Sequence, residues 1–138
     1  MFLLDTNVVS ELRKPRPHGA VVAWIQGIGD ENLFVSAVTL GEIQKGIELT
    51  RKQDSDKATE IGAWLDLVSS SYNVLPMDGE AFRTWSRLMH NKSDALAEDA
   101  MNAATALNHE LTVVTRNIAD FKPFKVPFLN PFMHSAYV

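Results

Sequence analysis

Asp5 interrupts the chain at an unusual point, directly after Phe2-Leu3-Leu4, an apolar run that reads as a buried strand, and before Thr6 and Asn7. Asp120 repeats the arrangement in the turn that follows "LTVVT". Glu42 falls in the first turn of the helical pattern after "LFVSAV", and Asp99 near the start of the alanine-rich helix that feeds "LTVVT". Each acid has an ordinary explanation. Asp5 suits a helix N-cap, and Thr39-Leu40-Gly41-Glu42 fits a capping box. Asp99, like Glu98 and Asp94, complements the positive end of a helix dipole, and turn acids such as Asp120 are commonplace. As a set they ask for more. Two carboxylates about 4 Å apart repel by about 4 kcal/mol at an effective dielectric of 20, so a converging group needs a shared proton or a cation. Cysteine is absent and the histidines lack paired zinc spacing. An all-oxygen donor set of this kind suits a hard cation, magnesium or manganese.

Such residues need elements that gather them. Strand-length apolar runs alternate with helical patterns: "MFLLD", "LFVSAV", "NVLPM" and "LTVVT" read as strands. Between them, helices are expected over "NVVSELRK", "HGAVVAWIQGI", "TLGEIQKGIELT", "SDKATEIGAWLDLVSSS", "DGEAFRTWSRLMHN" (Asp78 as its N-cap) and "DALAEDAMNAATALNHE". Ile61, Trp64, Leu65 and Val68 share one helical face. The Pro-rich end "FKVPFLNPF" has room for one short strand, at an edge because of Pro127. Alternation of this kind predicts an α/β fold, a mainly parallel sheet between two helical layers. Ligands then bind beyond the carboxyl ends of the strands. Topology alone places Asp5, Glu42 and Asp120 on that rim. Asp99 lies upstream of its strand, and only the folded chain decides where it goes.

Residues 1–138 are expected to form one domain, with no repeat or linker dividing them. With 46% apolar and 22% charged residues and no cysteine, the chain suits a reducing cytoplasm and has no disulfide or thiolate metal site. Its apolar runs are too short to span a bilayer, and no signal peptide opens it. A net charge of −4 argues against a general nucleic-acid coat protein, though local basic clusters exist. Arg13, Lys14, Arg16 and His18 gather after the first strand and helix, and Arg116 adjoins the last acidic turn. They read equally as phosphate contacts or as a solvated loop and a surface arginine. Trp24, Trp64 and Trp85 sit in apolar stripes, as core or interface anchors.

"FLLDTNVVSEL", "SAVTLGEIQKGI", "EDAMNAATALNHELTVVTRNIADF" and "LNPF", in this order over almost the whole chain, resemble the PIN-domain family. The nearest likeness is to the VapC/FitB toxins of type II toxin–antitoxin modules. The resemblance implies a compact α/β/α sandwich acting as a magnesium-dependent endoribonuclease, with manganese as a substitute. It assigns the acidic metal-binding and catalytic set to Asp5, Glu42, Asp99 and Asp120, with Asn117 a competitor for the last place. Thr6, Asn7 and Thr115 match supporting polar positions, and Arg13, Lys14, Arg16 and Arg116 become candidate RNA contacts. It further implies a homodimer, a cognate DNA-binding antitoxin of the VapB/FitA kind, and operator DNA bound by the joint complex. Asn102 departs from the pattern, since relatives usually carry an aliphatic residue there, and this puts the local helix packing in question. Two rivals remain. A phosphatase with an aspartyl nucleophile needs a second Asp where Asn7 stands. A non-catalytic module could serve only in an antitoxin-bound repressor complex.

Overall fold

The computed structural model describes residues 1–135. Five strands, β1 (Phe2–Leu4), β2 (Leu33–Ser36), β3 (Asn73–Leu75), β4 (Thr112–Val114) and β5 (Phe128–Leu129), form one sheet in the order β3-β2-β1-β4-β5. Every neighbouring pair is parallel. Among the described residues seven α-helices flank it: α1 (Thr6–Arg13), α2 (Gly19–Gln26), α3 (Ala37–Arg51), α4 (Ser55–Ser71), α5 (Gly79–Met89), α6 (Ala97–Asn108) and α7 (Ile118–Phe121).

Successive strand side chains point to opposite faces, so a short apolar strand supplies two cores at once. Leu4, Leu33, Val35 and Val114 pack with Val8, Val9, Val21, Trp24, Ile43, Ile47, Leu65 and Val68 from α1–α4. Leu3 and Val113 face the other way, onto Ala100, Ala103, Ala106, Phe121 and Phe124, with Trp85 and Leu88 of α5 against them. The result is the expected three-layer α/β/α sandwich. Pro127 costs the sheet nothing, because it offers its carbonyl to the Val113 N–H at 2.8 Å while β5 lies at the edge.

Helix boundaries matter for the acids. α3 starts at Ala37 with Ser36 as its N-cap, three residues before the anticipated Thr39, and Thr39 N–H donates to Ser36 Oγ at 3.3 Å. The Thr39–Glu42 capping box therefore does not form, and Glu42 is free for another partner. Asp78 caps α5 as expected, accepting from Ala81 N–H at 2.9 Å. The predicted helix over 94–110 opens with a 3-10 turn at Asp94–Leu96, so Asp99 is the third residue of α6. Strand order reverses at β1: β2 and β3 lie on one side, β4 and β5 on the other. The carboxyl ends of β1 and β4 flank that switch point, where an open α/β sheet leaves its crevice.

Candidate functional site

Asp5 stands at the switch point as the N-cap of α1, with its backbone N–H bonded to Val114 of β4 at 2.9 Å. Its side chain is buried and both oxygens are used. Oδ1 accepts from Thr6 N–H at 2.9 Å and Asn102 Nδ2 at 3.0 Å. Oδ2 accepts from Thr115 Oγ1 at 2.8 Å and Asn7 Nδ2 at 3.2 Å. Burial raises its pKa, and the bonds from Thr115, Thr6, Asn102 and Asn7 pull it back. Capping and site geometry are thus compatible in one side chain. One backbone donor serves the helix, and three side chains from α1, α6 and the end of β4 fix the carboxylate plane.

Glu42, released from capping, turns to α1 and accepts from Thr6 Oγ1 at 3.2 Å, while that hydroxyl also meets Thr39 Oγ1 at 3.0 Å. Burial, then the charge of Glu98, pushes Glu42 up to about 7, with Asp5 adding to the effect. Asp99 rises to about 6 through burial and then the charges of Asp5, Asp120 and Glu98. These mutual influences bring Asp5, Glu42, Asp99 and Asp120 into one electrostatic neighbourhood. Asp99, which topology left unplaced, is drawn in by the packing of α6. Asp94 remains exposed on its 3-10 turn. Asn117 offers its backbone N–H to Thr115 Oγ1 at 3.0 Å, and it is Asp120 whose charge reaches Asp99. Glu98 is a fifth acid of this bowl, and nothing in its spacing singled it out from an ordinary first-turn acid.

Sequence reading misjudged Asn102. It is 1% exposed, and far from loosening the helix it links Ser36 Oγ, which donates to its Oδ1 at 2.5 Å, with Asp5. A polar residue amid the alanines of α6 was the available signal, because a buried amide has to find partners.

The donors are carboxylates and hydroxyls, the oxygen chemistry that magnesium and manganese prefer. Carboxyls that raise one another's pKa are also groups a cation would relieve. Among the described residues, no three His, Cys, Asp or Glu side chains stand close enough together to hold a metal ion as they are placed. The bowl is open.

The basic candidates separate. Arg13 lines a groove of about 250 Å³ that also contains Thr6 and Glu42, with its guanidinium 5.9 Å from the Trp64 ring. Lys14 is engaged by the buried Glu11 at 2.9 Å, and Arg16 is exposed on the following loop. Arg116 lies over Phe132 at 4.1 Å. On the other side of Glu42, a groove of about 410 Å³ is lined by Val38, Met77, Phe82 and Met101 and bordered by Lys45 and Glu98.

A three-layer α/β/α domain with acids at the switch point of an all-parallel sheet defines a class of site built for oxygen ligands. The profile of the PIN domain matches residues 2–123, and the chain belongs to that family. It is 34% identical over 140 residues to the toxin FitB of Neisseria gonorrhoeae, covering 96% of this chain and 99% of FitB. It is likewise 34% identical over 139 residues to the VapC ribonuclease Y4jK of Sinorhizobium fredii, covering 96% and 98%. The crystal structure of FitAcB from Neisseria gonorrhoeae superposes with a TM-score of 0.85 at 33% identity, over 96% of this chain and 99% of that one. FitAB bound to an IR36 DNA fragment gives 0.75 at 31% identity, over 98% of each. No helix among the described residues is long and apolar enough to cross a membrane.

Proposed function

We propose that this protein is a divalent-cation-dependent endoribonuclease, the toxin of a type II toxin–antitoxin module. One observation carries the reading: Glu42 and Asp99, from different helices, are both driven toward neutral pH by burial and by a shared set of acids around Asp5. Fold maintenance has no need of such a cluster. The relative named as a ribonuclease makes phosphodiester hydrolysis the fitting chemistry. Asp5, Glu42 and Asp99 would hold magnesium or manganese, with Asp120 at the margin. When bound, such an ion neutralises a non-bridging phosphate oxygen and lowers the pKa of a coordinated water.

The chain's own residues prepare the rest. Thr115, Asn7, Asn102 and Thr6 hold Asp5 in one orientation, and Thr6 orients Glu42 as well. Without a metal, Glu42 at about 7 and Asp99 at about 6 are both ionised only toward neutral pH, and a bound cation would favour their ionised forms. Arg13, in the groove that reaches Glu42, meets the phosphate chain on entry. In-line attack would leave a 5′-phosphate and a 3′-hydroxyl.

An acidic chain of net charge −4 has little attraction for a DNA duplex by itself. A basic antitoxin partner of the VapB/FitA kind would supply it, and the likeness to DNA-bound FitAB supports operator binding by the joint complex. A homodimer belongs to the same reading; exposed Leu49 and Leu67 on α3 and α4 are surface that an interface would cover.

Purified protein is expected to cut total RNA with magnesium, to stop on chelation, and to lose activity as Asp5→Asn. Cleavage by that variant at the wild-type rate, or undiminished cleavage in chelator, would refute the proposal.

A further inference from the structure

A chain of hydrogen bonds joins the three elements that carry Asp5, Glu42 and Asp99. Ser36 ends β2 and caps α3, the helix of Glu42, by accepting from Thr39 N–H at 3.3 Å. Its hydroxyl donates to Asn102 Oδ1 at 2.5 Å, and Asn102 Nδ2 donates to Asp5 Oδ1 at 3.0 Å. Asn102 itself sits on α6, three residues after Asp99 and so on a neighbouring part of the same helix face. Ser36 is fully buried, Asn102 is 1% exposed and Asp5 is 5% exposed, so water does not compete for these bonds.

We propose that Asn102 is a positioning residue: with Ser36 it sets Asp5 in register with the α3 cap and α6, and so shapes the cation site. The inference rests on the nuclease reading. The direction of the amide follows from its neighbours. Asp5 oxygen is acceptor-only when ionised, so it requires the Nδ2 side, and the Ser36 hydroxyl, whose oxygen already accepts from Thr39, supplies a proton to the Oδ1 side. A flipped amide would set its carbonyl against a carboxylate and leave that proton unused. Two constraints therefore select one rotamer. Residues behind a metal ligand that fix its orientation commonly change metal affinity or activity 10–100-fold when removed. An aliphatic residue at 102 would keep the volume and lose both bonds. Asp5 Oδ1 would retain Thr6 N–H, and Ser36 would still cap α3, so the helices have no reason to part.

The test uses the full chain, Mn2+ alone followed by calorimetry, and steady-state cleavage of an RNA oligonucleotide. Asn102→Leu should weaken Mn2+ binding and lower kcat by about tenfold, with KM for RNA little changed. Ser36→Ala keeps the Asp5 bond but frees the amide and removes the α3 cap, so it should weaken Mn2+ binding less than Asn102→Leu while lowering Tm through the lost cap. The double variant should lose less than the sum of the two single losses, because either change breaks the shared Ser36–Asn102 bond. Asn102→Ala, which removes both bonds and suits this alanine-rich helix, serves in place of Asn102→Leu if the latter does not fold. Wild-type Mn2+ affinity and kcat in the residue-102 variant overturn the inference, even if its Tm falls, for then Asn102 is a packing residue. Strictly additive losses in the double variant also overturn it. A wild-type protein that neither binds Mn2+ nor cuts RNA overturns the nuclease reading, and this inference with it.

Discussion

Asp5 shows how one side chain serves two purposes. Its carboxylate takes four donors, which is the full practical capacity of two oxygens. In Asp5→Asn the amide oxygen can still accept from Thr6 and Asn102, while its NH2 meets Thr115 Oγ1, a hydroxyl that already accepts from the Asn117 N–H at 3.0 Å and must give up its bond from Asn7 to accept a further one. Asn7 Nδ2 then faces another NH2 group, and an amide flip gives no relief because Asn7 Oδ1 accepts from the Arg116 N–H at 3.1 Å. The burial cost of a charge disappears at the same time. We expect Tm within about 5 °C of wild type, since one lost hydrogen bond costs about 1 kcal/mol. A collapse in Tm would mean that loss of cleavage reports unfolding. Glu98 offers a second check. Its charge contributes to holding Glu42 near 7, after burial. Glu98→Gln should lower the Glu42 pKa without restoring its ordinary value, moving the rising limb of cleavage against pH acidward by roughly half a pH unit. NMR titration of the Glu42 carboxyl gives the same answer without substrate.

Among the elements, α6 bears the tightest constraint. Ala100, Ala103, Ala104 and Ala106 are all fully buried, and Ala103 touches the core on the face shared with Leu3 and Val113. Small residues let this helix sit close to the sheet and carry Asp99 inward. Ala103→Leu adds volume where none is free and should cost about 1–3 kcal/mol; urea unfolding measures it. A stability equal to wild type would show that α6 has slack, and that Asp99 is positioned by something else. The loop after α1 is a different case. If Arg13, Lys14 and Arg16 all grip phosphates, replacing them with Ala should reduce the salt slope of RNA binding by about 0.7 per contact, roughly 2 in all. Lys14 is held by Glu11, so we expect a drop of about 1.4, from Arg13 and Arg16. An unchanged slope returns the loop to plain solvation.

For the whole molecule, the acidic bowl makes stability depend on pH in a definite sense. Glu42 and Asp99 have raised pKa values in the folded state, about 7 and about 6 against ordinary values of 4.5 and 3.8. Between those limits the native protein binds more protons than the unfolded chain, so stability falls as pH rises. The metal-free protein should therefore melt higher near pH 5 than near pH 8. Because both groups are partly solvated, we expect a difference of a few degrees, on the order of 5 °C. Magnesium at pH 8 should restore most of it, because a ligand that binds only the native state adds to stability. Calorimetric scans across pH, with and without chelator, distinguish this from a flat profile, which would mean that Glu42 and Asp99 are not raised in the folded state.

Much of this was legible before folding. Apolar runs of strand length alternating with helical periodicity are local signals, and they are enough to specify a parallel sheet with helices on both faces. That topology already puts Asp5 and Asp120 beyond strand ends and Glu42 in a following first turn. Periodicity did not choose among the acids of "DALAED"; the family resemblance assigned Asp99, and only the packing of α6 shows it half-buried while Asp94 and Glu98 are exposed. Nor did it reveal that Ser36 rather than Thr39 caps α3, which is what turns Glu42 toward Thr6. Asn102 looked like a flaw in an alanine helix until Ser36 and Asp5, 66 and 97 residues away along the chain, came within hydrogen-bond reach. Periodicity reports what a segment does to itself. Convergence of side chains from distant segments depends on how close the packed layers come, and that distance exists only in the folded molecule.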